Sequence, residues 1–139
     1  MSDPFADLFP RRRERERAKT SKEAFVEHAR QVLLARWGTS LVRRAVALPG
    51  GQSLEFPLAS GNGRIVGDVA WLEAMESPEW KSAALSELAW VVSHVAADRR
   101  FLLIGHDLDL AARWLVRHRG MFDGVEVWTL DGDQLERLE

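Results

Sequence analysis

The sequence predicts a single α/β domain in which helices flank a mixed sheet. Three observations lead there: apolar residues at helical spacing in three separate stretches, short β-rich runs punctuated by Gly and Pro, and the order in which these follow one another. The order reads helix, three strands, helix, strand, helix, strand. Three strands in succession favour a hairpin meander, and the strand–helix–strand unit after them favours a parallel crossover, so together they predict a mixed sheet.

Residues 1–19 read as a charged N-terminal tail, in which Pro4 and Pro10 bracket a short apolar patch of Phe5, Leu8 and Phe9. The single domain is expected over residues 20–139. Thr20-Ser21-Lys22-Glu23 has the form of a capping box, in which hydroxyl and carboxylate each satisfy an orphan N–H, so the first helix is expected from about Thr20. Phe25, Ala29, Val32, Leu33 and the stem of Arg36 then form one stripe, and Gly38 is placed to stop the helix. Leu41 to Leu48 reads as a strand closed by the turn Pro49-Gly50-Gly51. Leu54 to Leu58 alternates as a half-buried strand does, and Pro57, unable to donate to a ladder, places it at an edge or in a bulge. Gly61-Asn62-Gly63 turns the chain into a third strand, Arg64 to Leu72.

Ser77-Pro78-Glu79 carries a hydroxyl cap, a first-turn proline and an early acid, and opens a helix expected to run to about Asp98. Phe101-Leu102-Leu103-Ile104-Gly105 is the unbroken apolar run of a strand covered on both faces. Asp107 is a cap for a third helix, Leu108 to about His118, and Val125 to Leu130 reads as a last strand. Residues 131–139 are expected to form a final helical turn.

A chain of 139 residues, 46% hydrophobic and 29% charged, has the size and balance of one globular domain. No apolar run approaches the ~20 residues that span a bilayer, so no membrane association is expected. The N-terminus lacks the order of a secretory signal, and with no Cys there is neither a disulfide framework nor a thiolate metal site. A cytoplasmic protein is the expectation. The net charge of −2 hides an asymmetry: residues 10–20 hold six basic and two acidic side chains, a local +4 that leaves −6 for the remainder. Arg11, Arg12, Arg13, Arg15 and Arg17 are therefore candidates for contact with nucleic-acid phosphates, and a solvated extension of the first helix is the other reading of the same run. His28, His94, His106 and His118 show no paired ligand spacing. Phosphate-loop and Ser-hydrolase motifs are absent, so a Ser hydrolase is not expected.

Leu54-Glu55-Phe56-Pro57-Leu58, then Ile65-Val66-Gly67-Asp68-Val69-Ala70, together with Lys81 to Trp90 on the next helix, resemble the core of the PD-(D/E)XK, or restriction-endonuclease-like, nuclease superfamily. The resemblance covers about residues 20–130 and implies an αβββαβ core, here with an added helix and strand. In active members, as it implies, an Asp of the second strand and an acid of the third bind Mg²⁺, a lysine two residues after that acid helps position water, and an acid on the first helix often assists. Hard Mg²⁺ takes oxygen ligands and stabilises charge on phosphate and nucleophile.

Carried over by position, Asp68 falls on the third-strand acid, Ala70 on the lysine and Pro57 on the second-strand Asp. Either Glu23 or Glu27 fits the first-helix acid. Glu55, two residues before Pro57, is a replacement metal ligand beside Asp68, and Lys81 is a replacement ammonium, with Glu87 further along the same helix. The expectation is a nuclease-like domain with a degenerate catalytic motif, a non-catalytic module that binds DNA, RNA or a partner protein. The alternatives are an active Mg²⁺-dependent nuclease that uses Asp68, Glu55 and Lys81, and a protein-interaction domain with no nucleic-acid role. The bland readings are that Asp68 ends a strand or caps a turn, that Glu55 faces solvent, and that Lys81 and Glu87 are ordinary helix-surface charges.

Overall fold

A computed structural model describes the backbone of residues 10–72 and 76–139, and side chains from residue 21 onward. Its elements are α1 (Pro10–Trp37), β1 (Leu41–Ala47), β2 (Ser53–Ser60), β3 (Ile65–Leu72), α2 (Pro78–Ser93), β4 (Arg99–His106), α3 (Leu108–His118), β5 (Val125–Asp131) and β6 (Gln134–Arg137). The six strands form one mixed sheet in chain order, β1-β2-β3-β4-β5-β6. The pairs β1–β2, β2–β3 and β5–β6 are antiparallel, whereas β3–β4 and β4–β5 are parallel. The architecture is thus α/β, and none of the described helices is long and apolar enough to cross a membrane.

Strand alternation sorts the core into two layers. Phe101 and Leu103 of β4 meet Val26, Ala29, Val32 and Leu33 of α1 on one face. Leu102 and Ile104 meet Leu85, Ala89 and Val92 of α2 and Leu110, Ala111 and Trp114 of α3 on the other. Both faces of β4 are sealed, which is what its continuous apolar run requires. The expected caps are in place: Ser77 Oγ accepts the Trp80 N–H at 3.2 Å, and Asp107 Oδ1 accepts the Leu110 N–H at 3.2 Å.

Three boundaries differ from expectation. α1 begins at Pro10, so Thr20 is inside a helix and does not mark its start. The run ahead of it is built of Arg, Glu, Ala and Lys, all good helix formers, and a proline fits the first helical position. The patch Phe5, Leu8 and Phe9 lies outside the described residues, and so do the side chains of Arg11, Arg12, Arg13, Arg15 and Arg17. α2 stops at Ser93, five residues early, because Ser93 Oγ and His94 Nδ1 both donate to the Trp90 carbonyl, at 2.5 and 2.7 Å. Residues 131–139 form no helical turn: Gly132, at φ +58°, turns the chain back and β6 pairs with β5, burying Leu135 opposite Leu130.

β2 is the irregular strand. Val42 pairs with Ala59 and Arg44 with Phe56, so Arg43 alone opposes two residues, Pro57 and Leu58. That is a β-bulge at the proline, as expected, but in a strand with neighbours on both sides and not at an edge. On its other side β2 pairs with β3 only at Leu58–Gly67 and Ala59–Val66. The ladder ends where Pro57 has no N–H to offer.

Gly67, at that last pair, is required by packing: a Cβ there would fall inside the Phe101 ring, whereas one at Gly61 would meet open space. Gly67→Ala is therefore expected to cost about 1–3 kcal/mol by overpacking, and Gly61→Ala to stay close to neutral, both read from urea denaturation midpoints.

Candidate functional site

The early end of the β2–β3 ladder opens a gap between the two strands, and α1 lies across it. The result is a cavity of about 600 Å³ lined by Lys22, Glu23, Val26, Glu27 and Arg30 of α1, Arg43 of β1, Glu55 and Pro57 of β2, and Asp68 of β3. The α1 residues recur at i, i+1, i+4, i+5 and i+8, one face of a helix. Asp68, Glu55, Glu23 and Glu27, named from sequence, are all in this cavity. Lys81 is not.

Asp68 is in the middle of β3, with four strand residues after it. It occupies the first β3 position past the last pair with β2, and its Oδ1 accepts the N–H of Val69 at 2.8 Å. The carboxylate thus satisfies a backbone donor beside the break in the ladder. Ala70, two residues on, is 3% exposed and belongs to the core beneath α2. A lysine there would bury its stem and charge in that core instead of pointing into the cavity. The ammonium that acts electrostatically on Asp68 comes from α1, at Lys22, and its pull is smaller than that of the Val69 N–H.

Two of the other three carboxylates have partners from the chain. Glu27 Oε2 accepts from Arg30 at 3.0 Å, and Arg43 Nε stands 3.7 Å from Glu55 Oε1. A second nitrogen of Arg30 donates to the Pro57 carbonyl at 3.0 Å. These pairs are exposed and worth about 0–1 kcal/mol each, so their effect is on direction more than on stability. They turn Glu27 and Glu55 towards guanidiniums and not towards a common point. Mg²⁺ requires several oxygens near 2.1 Å in octahedral array. Pro57 and Ala70 offer no side-chain ligand, and among the described residues no group of three His, Asp or Glu is gathered closely enough to hold a metal ion. As the chain stands, the cavity does not fit the group that the resemblance implies.

Lys81 has a different role from either one expected of it. It is 5% exposed, and its Nζ is 2.9 Å from Asp107 Oδ2. The pair ties the first turn of α2 to the cap of α3. The hydrogen bond from Lys81 holds the Asp107 carboxyl below the usual range. His106, just before it, adopts φ +80°, a strained conformation for a residue with a Cβ. Glu87 is exposed on α2, away from the cavity. Sequence reasoning missed Lys22, Arg30 and Arg43 as cavity residues. The helical spacing of Lys22, Glu27 and Arg30 was the signal for the first two, whereas Arg43 became opposed to Pro57 only through the bulge.

No protein-family model matches this chain, and no curated protein or solved structure does either.

Burial pushes the Asp68 carboxyl up, and the Val69 N–H and the Lys22 ammonium pull it back only in part. A folded value above the unfolded one means that folding takes up a proton between the two. Stability then falls as pH rises through that range, and the ionised group remains a cost above it. Asp68→Asn keeps the acceptor for Val69, so it is expected to stabilise the protein at neutral pH and to match the parent below the carboxylate range, measured by thermal melts across pH. Asp107→Asn keeps the helix cap but strands the Lys81 charge. It is expected to cost about 3 kcal/mol, the low end for a broken buried pair because the Asp107 side chain is 30% exposed, and more than Lys81→Met in the same denaturation assay.

Proposed function

We propose that this chain is a nuclease-like domain whose cleavage apparatus has been dismantled and whose cavity face binds DNA or RNA without cutting it. The observation that carries the reading is the cavity itself: carboxylates where a metal-dependent nuclease of this element order would collect them, three of the four set beside a cation from the chain. Arg30 takes Glu27, Arg43 takes Glu55, and Lys22 stands towards Asp68. Protein cations thus stand among the carboxylates in place of a metal, three against four, so the positive charge in excess is on the arm ahead of the cavity. The element order α, β, β, β, α, β supports the nuclease-like part of the reading.

Binding of the nucleic-acid backbone is supported by what precedes the cavity. α1 continues from Lys22 back to Pro10 as one helix, and its Arg11, Arg12, Arg13, Arg15 and Arg17 lie within about 9 Å of one another along the axis, at 1.5 Å per residue. Cations on the arm can neutralise successive phosphates, with Lys22 and Arg43 at the cavity adding contacts where they exchange a carboxylate for a phosphate, and such binding releases counterions and weakens steeply with salt.

Fluorescence anisotropy with a short labelled oligonucleotide is expected to show binding at low salt that declines linearly on a log–log plot against salt. Lys22→Glu and Arg43→Glu should each weaken it roughly tenfold and lower the slope by about one. Supercoiled plasmid should stay intact with Mg²⁺ or Mn²⁺. Nicking that disappears in Asp68→Ala would establish cleavage instead, and no binding at low salt would leave the domain to a protein partner.

A further inference from the structure

We propose that the groove between α2 and α3, on the opposite face of the sheet from the cavity, is a binding site for a phosphate-bearing small molecule of nucleotide size. The groove encloses about 550 Å³, within the roughly 300–1,000 Å³ range of small-molecule sites. Its floor is apolar, formed by Leu110 and Trp114, and Arg113, Arg117 and His118 stand along the α3 side. Against these three basic side chains the groove holds one acid, Glu79 of α2.

The two arginines are one helical turn apart, so their guanidiniums emerge on the same side of α3. Among the described residues neither takes part in an ion pair or a side-chain hydrogen bond. Several other arginines are paired, Arg30 with Glu27, Arg99 with Glu126 and Arg64 with Asp98, whereas these two share one groove without such a partner among the described residues. Two planar forks facing one concave surface suit the oxygens of a phosphate, which they can grip with paired N–H donors; Arg113 also acts at longer range on Asp107, without an ion-pair contact. His118 adds a third group. Its Nδ1 donates to the Trp114 carbonyl at 2.9 Å and its ring stacks on Trp114 at 5.3 Å, so Nε2 is the ring nitrogen left for a ligand.

The walls are held before any ligand arrives. Trp114 Nε1 donates to Ser86 Oγ of α2 at 2.9 Å, and the Lys81–Asp107 pair fixes the start of α2 to the start of α3. A preformed cleft between helices clamped at two points loses little freedom on binding, which favours affinity for a small ligand.

Calorimetric titration of the full chain at low salt with AMP, inorganic phosphate and adenosine tests the proposal. AMP is expected to bind, phosphate to bind more weakly and adenosine not at all, since the guanidiniums recognise the phosphate. Arg113→Gln together with Arg117→Gln, both at exposed positions, should weaken AMP at least tenfold with an unchanged circular dichroism spectrum. Arg36→Gln on α1 and Lys22→Glu in the cavity should leave AMP binding as it was. The proposal is overturned if neither AMP nor phosphate binds at millimolar concentration, if adenosine binds as well as AMP, if the double variant binds AMP normally, or if Lys22→Glu abolishes binding. Because Lys22→Glu should weaken oligonucleotide binding alone, failure of this site and failure of the cavity reading are separable.

Discussion

Pro57 is in a strand that has neighbours on both sides, and it has no N–H to give to either. Most of what distinguishes this molecule follows from that. On the β1 side the strand accommodates the proline with an extra residue opposite Arg43, and on the β3 side pairing is confined to two residues. The carbonyl of Pro57 turns to the Arg30 guanidinium, and the N–H of Val69 turns to the carboxylate of Asp68. Groups released from the ladder are thus satisfied by charged side chains, as backbone polar groups away from water must be. β3 is anchored from its other edge, where every residue from Ile65 to Leu72 has a partner on β4. A polar cavity can therefore open in the sheet without unravelling it.

The sequence was most legible where structure is local or where one chemical type is repeated. Ser77 and Asp107 declared themselves as caps because a helix start needs an acceptor at a fixed offset. Phe101 to Ile104 declared a doubly covered strand because four apolar residues in succession leave neither strand face for solvent, and Gly105 ends the run too soon for a helix. The start of α1 was hidden because Thr20 to Glu23 form a valid capping signal that the helix-forming run before it overrides. β6 was hidden because its burial rests on the single residue Leu135, too little for a periodic pattern. At the site, the carboxylates were readable from the strand and helix they occupy. Their partners were not, because Arg43 and Pro57 face each other only through a bulge, and Lys81 is diverted by an aspartate 26 residues away.

The two faces of the sheet divide the chemistry between them. On the α1 face, charge gathers at a discontinuity in the backbone. On the other, α2 and α3 close over an apolar layer that includes Ala70, and polar groups enter there only in satisfied pairs such as Lys81 with Asp107 and Trp114 with Ser86. The same alternation explains why a lysine at position 70 would be misplaced. Residue 70 points into the layer that must stay dry, and only the turn of the Asp68 carboxylate towards the gap brings position 68 to the cavity.

The strands are arranged across the sheet in the order in which they occur along the chain. No strand has to insert between two that already pair, and each new one adds to an edge left open by its predecessor. Contacts of this kind close short loops first, which keeps the entropic barrier to folding low. During synthesis the hairpin of β1 and β2 can form as soon as it emerges, and β3 through β6 can then be laid down in sequence. The layer over α1 is finished last, when Leu130 and Leu135 arrive, so the N-terminal helix waits for the C-terminal hairpin before its cover is complete.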